Sequence, residues 1–161
     1  MPSKRKKTSD VRRTIQRIVH PTDFSKTADR AFQKAVEFAK QNGAELILIH
    51  VLLRALPPPS LWRGVYDRID AQERRAAENR LSPLLARARR AGVRARTLLV
   101  SGVTHDQIVR VAESMRADLI VMGSHGRSGL SKLVLGSVAE RVSGLAPCPV
   151  LIVGSRKGRK R

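Results

Sequence analysis

Short, almost wholly apolar runs alternate with helical stretches along most of the chain. The clearest run spans residues 44–51 and contains Leu46, Ile47, Leu48 and Ile49 in succession. A run without polar alternation is typical of a strand covered on both faces, as in a parallel sheet between two layers of helices. Repeated strand-helix-strand units require right-handed crossovers, which produce such a sheet. The sequence therefore predicts a doubly wound, Rossmann-like α/β fold with helices on both faces of a parallel sheet.

Changes in hydrophobic periodicity and helix-ending glycines indicate where the elements begin and end. Strands are expected at residues 15–20, 44–51, 93–100, 119–122 and Val150–Val153. Helices are expected from Ser25 up to Gly43, at 67–91, around 108–115 and at 136–145. The segment 57–66 begins with three consecutive prolines and is predicted to be a loop.

The composition suits one domain with an aliphatic core. Aromatic residues make up 3% of the 161 residues and hydrophobic residues 42%, so Ala, Val, Leu and Ile must form most of the core. We expect a single domain at residues 14–154, between basic segments at 1–13 and 155–161. No stretch approaches the roughly 20 apolar residues that cross a bilayer, and Cys148 is the only cysteine. These features predict a cytoplasmic protein without an internal disulfide or membrane insertion.

The chain is strongly basic, with 32 Lys and Arg against 13 Asp and Glu and a formal net charge of +19. Much of the excess lies at residues 4–7, at Arg12 and Arg13, and at 156–161. Like-charge runs of this kind are typical of disordered tails, and we expect these two to bind nucleic acid or another polyanion without sequence specificity. A third Arg-rich stretch, from Arg68 to Arg96, has helical spacing and is either a solvated helix face or a nucleic-acid contact.

A glycine-rich loop follows the fourth predicted strand, where ligands bind in open sheets of this type. Gly123 and Gly126 permit positive φ angles and a close backbone approach. Gly136 and Ser137 begin the next helix, so amides without helical partners face the same space and favour a phosphate chain. The Ser137 hydroxyl adds a donor, and Arg127 is a charged partner within reach.

Other interpretations of this loop stay open. It is alternatively an ordinary flexible connection in which Ser137 only caps its helix. His125, inside the loop, either approaches the phosphates or is a solvated loop side chain, and we expect the second. His20, His50 and His105 show no spacing that predicts a metal site.

The Gly-x2-Gly-x9-Gly-Ser spacing of this loop resembles the pattern of ATP-binding members of the universal stress protein family. Two other segments agree in order and position. Pro-Thr-Asp-Phe-Ser at residues 21–25 resembles the family's Pro-x-Asp-x-Ser, and His50 with Val51 resembles its His-Val. The resemblance covers roughly residues 14–154.

The resemblance implies a five-stranded sheet in the order 3-2-1-4-5, which places Asp23 beside Gly123 at the switch point. It implies ATP as the ligand, with or without Mg²⁺, and Asp23 as the acceptor for ribose hydroxyls or the base. Backbone groups of Val51 would contact the adenine edge, and Met122 would line the pocket. Helix capping by Asp23 and plain core packing of Val51 and Met122 are the alternatives. Pro21, Thr22 and Val138 complete the implied set of nucleotide-binding residues.

The implied function is a stress-response module whose ATP-bound and ATP-free forms choose different partners. No Walker-type Gly-Lys-Ser/Thr, kinase Asp and Asn pair, or nucleophile with its base is found in the sequence. Two alternatives remain: an enzyme that slowly hydrolyses ATP or transfers adenylate, and a nucleic-acid or polyanion binder on the same scaffold. Strand Val150–Val153 is an apolar sheet edge, and family members commonly dimerise through it, so a homodimer is also expected.

Overall fold

The structure of the protein is a computed structural model that describes residues 14–53, 63–125 and 135–154, with side chains in the second range described from residue 67 onward. The predicted basic tails, most of the predicted loop at 57–66, and the binding candidates Gly126 and Arg127 lie outside the described residues. No helix in the described ranges combines the length and apolar character that crossing a membrane requires.

The described ranges contain five strands and four helices in strict alternation. In chain order they are β1 (Arg17–Pro21), α1 (Lys26–Asn42), β2 (Glu45–Leu52), α2 (Arg63–Arg90), β3 (Ala95–Ser101), α3 (Thr104–Ser114), β4 (Leu119–Gly123), α4 (Ser137–Leu145) and β5 (Val150–Val153). All neighbouring strands pair in parallel, in the order β3-β2-β1-β4-β5. The predicted fold and strand order are therefore confirmed.

Successive side chains of the central strands enter two separate cores because strand residues alternate between faces. On one face, Ile18 and Leu46 pack with α1 and α2. On the other face, Val19 and Ile47 pack with α3 and α4. All four side chains are completely buried, and each such burial contributes about 1.5 to 3 kcal/mol. Coverage on both faces explains why these strands are apolar runs.

The ends of α1 follow the sequence signals closely. Ser25 is the N-cap, and its hydroxyl accepts a hydrogen bond from the Ala28 amide at 3.2 Å. Gly43 follows the last turn with φ of 64°, a left-handed conformation that glycine adopts without a Cβ penalty. The helix thus begins directly after the β1 loop, which fixes that loop at the carboxyl end of the sheet.

Helix α2 differs from the prediction at its start. It begins at Arg63, so residues 63–66, expected in a loop, are helical. The first turn of a helix has no amide partners of its own, and Gly64 therefore costs less there than in the interior. The helix also continues through Pro83, which removes one backbone donor. Packing of Leu81 and Ala88 into the core on either side of this proline maintains the helix.

Strand boundaries shift by one or two residues from those expected. β1 runs from Arg17 to Pro21 rather than over 15–20, and β3 from Ala95 to Ser101 rather than over 93–100. The pairing of Pro21 with Ile49 closes the β1–β2 register. Proline has no amide to donate to a neighbouring strand, and β1 ends at this residue. The loop at residues 22–25 consequently begins at the switch point of the sheet.

Candidate functional site

A cavity of about 440 Å³ opens at the carboxyl ends of β1 and β4. The chain leaves β1 toward one face of the sheet and β4 toward the other, so the two loops diverge and leave a cleft. Nine residues predicted to bind nucleotide line this cleft: Pro21, Thr22, Asp23, Val51, Met122, Gly123, Gly136, Ser137 and Val138. The structure therefore brings together every predicted site residue that it describes.

Asp23 supports the turn that leads into α1 but does not cap the helix. One of its carboxylate oxygens, Oδ1, accepts a hydrogen bond from the Ser25 amide at 3.0 Å. The capping bond comes from Ser25 itself, so the alternative in which Asp23 is the cap is wrong. An ionised carboxylate has about four acceptor positions. Its side chain lines the cleft.

Strand β2 extends past β1 and presents backbone groups to the cleft. The Ile49 carbonyl accepts from the Thr22 amide at 2.9 Å, whereas the Leu52 carbonyl accepts from Gly102 on the β3 side. Backbone groups in a parallel strand alternate between its two neighbours, so Val51 points the same way as Ile49. β1 has already ended at this level, and the N–H and C=O of Val51 therefore face the cleft.

The loop between β1 and α1 is held in an unusual shape. Phe24 has a φ of 63°, which is rare for a bulky residue. Its amide donates to the Thr22 hydroxyl at 3.0 Å, its ring lies 4.6 Å from the His50 ring, and the Arg80 guanidinium lies 4.1 Å above it. His50 Nδ1–H also donates to the Thr22 carbonyl at 2.7 Å. The family-like His50 thus positions the loop that carries Asp23.

Gly123 and Gly136 stand where other backbone packs closely, and not where a positive φ is needed. Neither of them adopts a positive φ angle, so the expected torsional reason is wrong for Gly123. A Cβ at Gly123 would lie 3.1 Å from the backbone carbon of Thr27. A Cβ at Gly136 would lie 3.0 Å from the Ser124 carbonyl oxygen, to which the Gly136 amide donates at 2.8 Å. Protein backbone approaches at both positions.

The amino end of α4 faces the cleft without a capping side chain. Gly136 is the N-cap, and no side-chain hydrogen bond caps the helix within the described residues. Ser137 is the first helical residue, so the alternative in which it caps the helix is wrong. Its hydroxyl lines the cleft together with Val138. The amides of this first turn and the positive end of the helix dipole favour an anion at this place.

Among the other residues that line the cleft are four polar ones that sequence reasoning missed or assigned differently. Glu73 from α2 and Thr104 from α3 enter it only through the packing of their helices. Ser124 Oγ lies 2.8 Å from Nδ1 of His125. Nε2 of His125 is buried and has no hydrogen-bond partner, so the expectation of a solvated loop histidine is wrong. Its place inside the glycine motif was the available signal.

The described residues of the cleft do not form a protein cage for a metal ion. Across residues 14–53, 63–125 and 135–154, no group of three or more His, Cys, Asp or Glu side chains is arranged to hold one. Mg²⁺ usually keeps several waters and is bound through one or two carboxylates together with substrate phosphates. The carboxylates of Asp23 and Glu73 line the cleft and fit only the binding of Mg²⁺ together with substrate phosphates.

Comparisons with known proteins agree with this architecture. Residues 14–154 match the model of the universal stress protein family. The chain is 37% identical over 146 residues to universal stress protein MJ0531 of Methanocaldococcus jannaschii, covering 88% of this chain and 84% of the relative. The solved structure of MJ0577, from the same organism, superimposes with a TM-score of 0.78 at 30% identity, over 90% of this chain and 99% of the other.

A second similar structure contains a nucleotide. It is a universal stress protein from Archaeoglobus fulgidus in complex with dAMP, with a TM-score of 0.62 at 25% identity, over 86% of this chain and 97% of that one. The sheet order and the polar cleft at its reversal define a doubly wound α/β protein with a candidate ligand site at the switch point. The family match and the relatives make the assignment specific. The chain belongs to the universal stress protein family.

Proposed function

We propose that the cleft binds ATP and that the bound nucleotide determines which partner the protein engages. The observation that carries this proposal is the arrangement of three different groups around one cavity. The Asp23 carboxylate, the backbone edge of Val51 and the uncapped amino end of α4 all face it. The hydroxyls of a ribose need an acceptor, and the edge of a purine needs alternating donors and acceptors. A phosphate chain needs an anion site.

The order of these groups along the cleft orients the nucleotide. In this arrangement the base lies against Val51 at the β2 side, the ribose hydroxyls donate to Asp23, and the phosphates reach Ser137 and the first amides of α4. The relative that holds dAMP supports an adenine nucleotide as the ligand class. Mg²⁺ would arrive with the phosphates, and within the described residues Asp23 and Glu73 are the carboxylates that line the cleft.

A change of partner on ATP binding requires that the two forms of the protein bind ATP with different affinity. The cleft joins elements that otherwise meet only through the sheet, because Asp23 precedes α1 and Ser137 begins α4 on the opposite face. A nucleotide that contacts both stabilises the arrangement in which the β1 loop and α4 are drawn together. The partner surface would then include these two elements.

Identification of the nucleotide that leaves freshly purified protein on denaturation tests the proposal directly. Mass analysis is expected to find ATP, and calorimetry on the emptied protein is expected to show ATP binding. Single-turnover analysis of the bound nucleotide then distinguishes a binding module from a slow ATP-cleaving enzyme. Emptied protein that binds no adenine nucleotide would contradict the assignment.

Substitution of Asp23 separates its contact to nucleotide from its contact to Ser25. Asp23→Ala is expected to weaken ATP binding by about 10- to 100-fold, because a hydrogen bond to a charged group contributes about 1.5 to 3 kcal/mol. Asp23→Asn keeps an acceptor for the Ser25 amide, so its ATP affinity should fall about tenfold while its melting temperature changes little. Asp29→Ala is the control, since this carboxylate pairs with Arg87 outside the cleft. Equal ATP affinity in all three variants would exclude Asp23 from the site.

We also propose a homodimer formed through β5, which is an edge strand in this sheet. The Pro149 carbonyl accepts from Ile120 in β4 and the Val153 carbonyl from Ser124 just after β4, so by alternation the amide of Val150 points away from the sheet. Light scattering is expected to give twice the chain mass of 17.8 kDa. Val150→Pro removes an outward amide at the first strand position, where proline is tolerated, and should yield a folded monomer. A native chain that is monomeric at micromolar concentration would end this proposal.

The cytoplasmic location expected from the sequence stays a prediction.

A further inference from the structure

A cluster of arginines lies at the end of the sheet opposite the cleft, where the strands begin and α1, α2 and α3 end. We call it the basic end. It consists of Arg17, Arg89, Arg90, Arg94, Arg96 and Arg116, all except Arg96 exposed. Residues 79–96 alone contain six arginines and no Asp or Glu.

Side-chain contacts show that these arginines are neighbours in space. Arg17 Nη1 donates to the Met115 carbonyl at 3.1 Å, and Arg96 Nη2 lies 3.0 Å from the sulfur of the same methionine. Arg96 also pairs with Glu45 at 2.9 Å. Since Arg17 stands opposite Glu45 in the β1–β2 register, the starts of β1, β2 and β3 and the end of α3 form one continuous surface.

Two further arginines extend this surface toward α1 and α2. Arg94 Nη2 donates to the Gly43 carbonyl at 3.2 Å, just beyond α1, and Arg89 Nη2 donates to the Ala95 carbonyl at 3.2 Å. Arg17 and Arg94 line a polar surface cleft of about 500 Å³ that also contains Gln16 and Glu45. A guanidinium has five N–H donors, and each of these bonds uses one, so most donors remain available to an anion.

Acidic groups at this end do not cancel the charge. Glu45 is paired with Arg96, and Asp118 Oδ2 accepts from the amides of Gln16 and Arg17 at 2.9 and 3.0 Å. Glu113 is an exposed acid near the end of α3. Three carboxylates therefore face six guanidinium groups and leave a net positive surface, which attracts polyanions.

Arg116 breaks a local rule. It has a φ of 49° just after α3, a left-handed position that glycine or asparagine occupies at lower cost. Its guanidinium has no hydrogen-bond or ion-pair partner among the described residues. The turn is compensated, because the Arg116 amide donates to the Glu113 carbonyl at 2.9 Å and the Ala117 amide to the Ala112 carbonyl at 2.8 Å, as in a common helix C-terminal cap. This cap leaves the Arg116 guanidinium at the basic end, where it is available to an anion.

We propose that the basic end binds the phosphate backbone of duplex nucleic acid. Guanidinium groups match phosphate oxygens with two parallel hydrogen bonds. Phe24, Phe32 and Phe38, whose rings could stack on bases, belong to the α1 side of the core or the cleft loop rather than to this surface. Among described side chains the basic end thus offers phosphate contacts without a stacking platform, which favours a duplex backbone over unpaired bases.

This surface is separate from the proposed ATP site. The two lie at opposite ends of strands of four to eight residues, roughly 15 to 25 Å apart at about 3.3 Å per residue. Thr14 lines the polar surface cleft of the basic end, so the basic residues before it are attached there. The basic residues after Gly154 are attached at the ATP end.

Binding of a 20-base-pair duplex DNA by the full chain, measured against NaCl concentration, tests the proposal. The triple variant Arg90→Gln, Arg94→Gln, Arg116→Gln should lower the slope of log affinity against log salt by about 2 to 3, because each phosphate contact contributes about 0.9. The matched control Arg30→Gln, Arg75→Gln, Arg110→Gln removes the same charge from exposed positions elsewhere and should change the slope by less than about 1. Saturating ATP should leave duplex affinity unchanged.

Three results would overturn the proposal. The first is an equal loss in both triple variants, which would indicate net charge alone. The second is competition between ATP and duplex, which would place the polyanion in the cleft. The third is binding of phosphatidylserine vesicles, with no duplex binding at 50 mM salt, which would make the partner a membrane surface. The first and third results do not depend on whether the cleft binds ATP.

Discussion

Replacement of Gly136 by valine is expected to lower the free energy of unfolding by about 2 to 3 kcal/mol and to abolish tight ATP binding at once. The added Cβ would lie 3.0 Å from the Ser124 carbonyl oxygen. That oxygen also accepts the Gly136 amide at 2.8 Å, so relief of the contact stretches this hydrogen bond. The start of α4 must shift, and the proposed phosphate site shifts with it.

The same helix contains a matched control for this prediction. Gly144 lies in the last turn of α4, and a Cβ there would meet no atom within 4 Å. Gly144→Ala should therefore stabilise the protein by about 0.5 to 1 kcal/mol, the usual cost of glycine in a helix, while Gly136→Ala destabilises it. Denaturant unfolding measures both. If the two alanine variants change stability in the same direction, close packing is not the reason for Gly136.

The second large expected effect is a loss of stability on acidification, caused by His20. This side chain is completely buried in β1, Nδ1–H donates to the Val121 carbonyl at 2.8 Å, and Nε2 has no partner. Burial lowers the pKa of His20 from 6.5 to about 4, partly offset by the Val121 hydrogen bond and by the charges of Asp29 and Asp23. Protonation would place a second N–H where no acceptor exists.

The direction of this pH effect depends on whether the folded or the unfolded chain binds the proton at the higher pH. Below pH 6.5 the unfolded chain binds a proton at this histidine, and the folded chain does so only near pH 4. Stability is therefore full above pH 6.5 and falls by about 1.4 kcal/mol per pH unit below it, to a total of about 3 kcal/mol. Denaturant unfolding between pH 7 and pH 5 measures the slope before most carboxylates titrate.

Two variants attribute this slope to His20. His20→Leu loses the donor to Val121 and should be less stable at pH 7, yet its stability should hardly change down to pH 5. His105→Leu removes a histidine that is not in the core and should keep the slope. A pH dependence that persists in His20→Leu would assign the acid sensitivity to other groups.

The sequence by itself determined the elements and the place of the site. The signals for these elements are local. The apolar run from Leu46 to Ile49 marks a buried strand, and Ser25 and Gly43 mark the two ends of a helix, within a few adjacent residues. The glycine spacing after β4 likewise indicated the proposed phosphate side of the cleft, since helix starts and close backbone approach depend on neighbouring residues. Family resemblance supplied the strand order, which periodicity does not contain.

The tertiary structure alone decided which distant groups meet. The buried bond from His20 to Val121 and the carboxylate of Asp118 over the amide of Arg17 each join residues about a hundred positions apart. Glu73 in the cleft and the gathering of arginines at the basic end depend in the same way on how α2 and α3 pack against the sheet. Packing sets these contacts because burial and charge act through space, whereas periodicity records only which side of its own element a residue occupies.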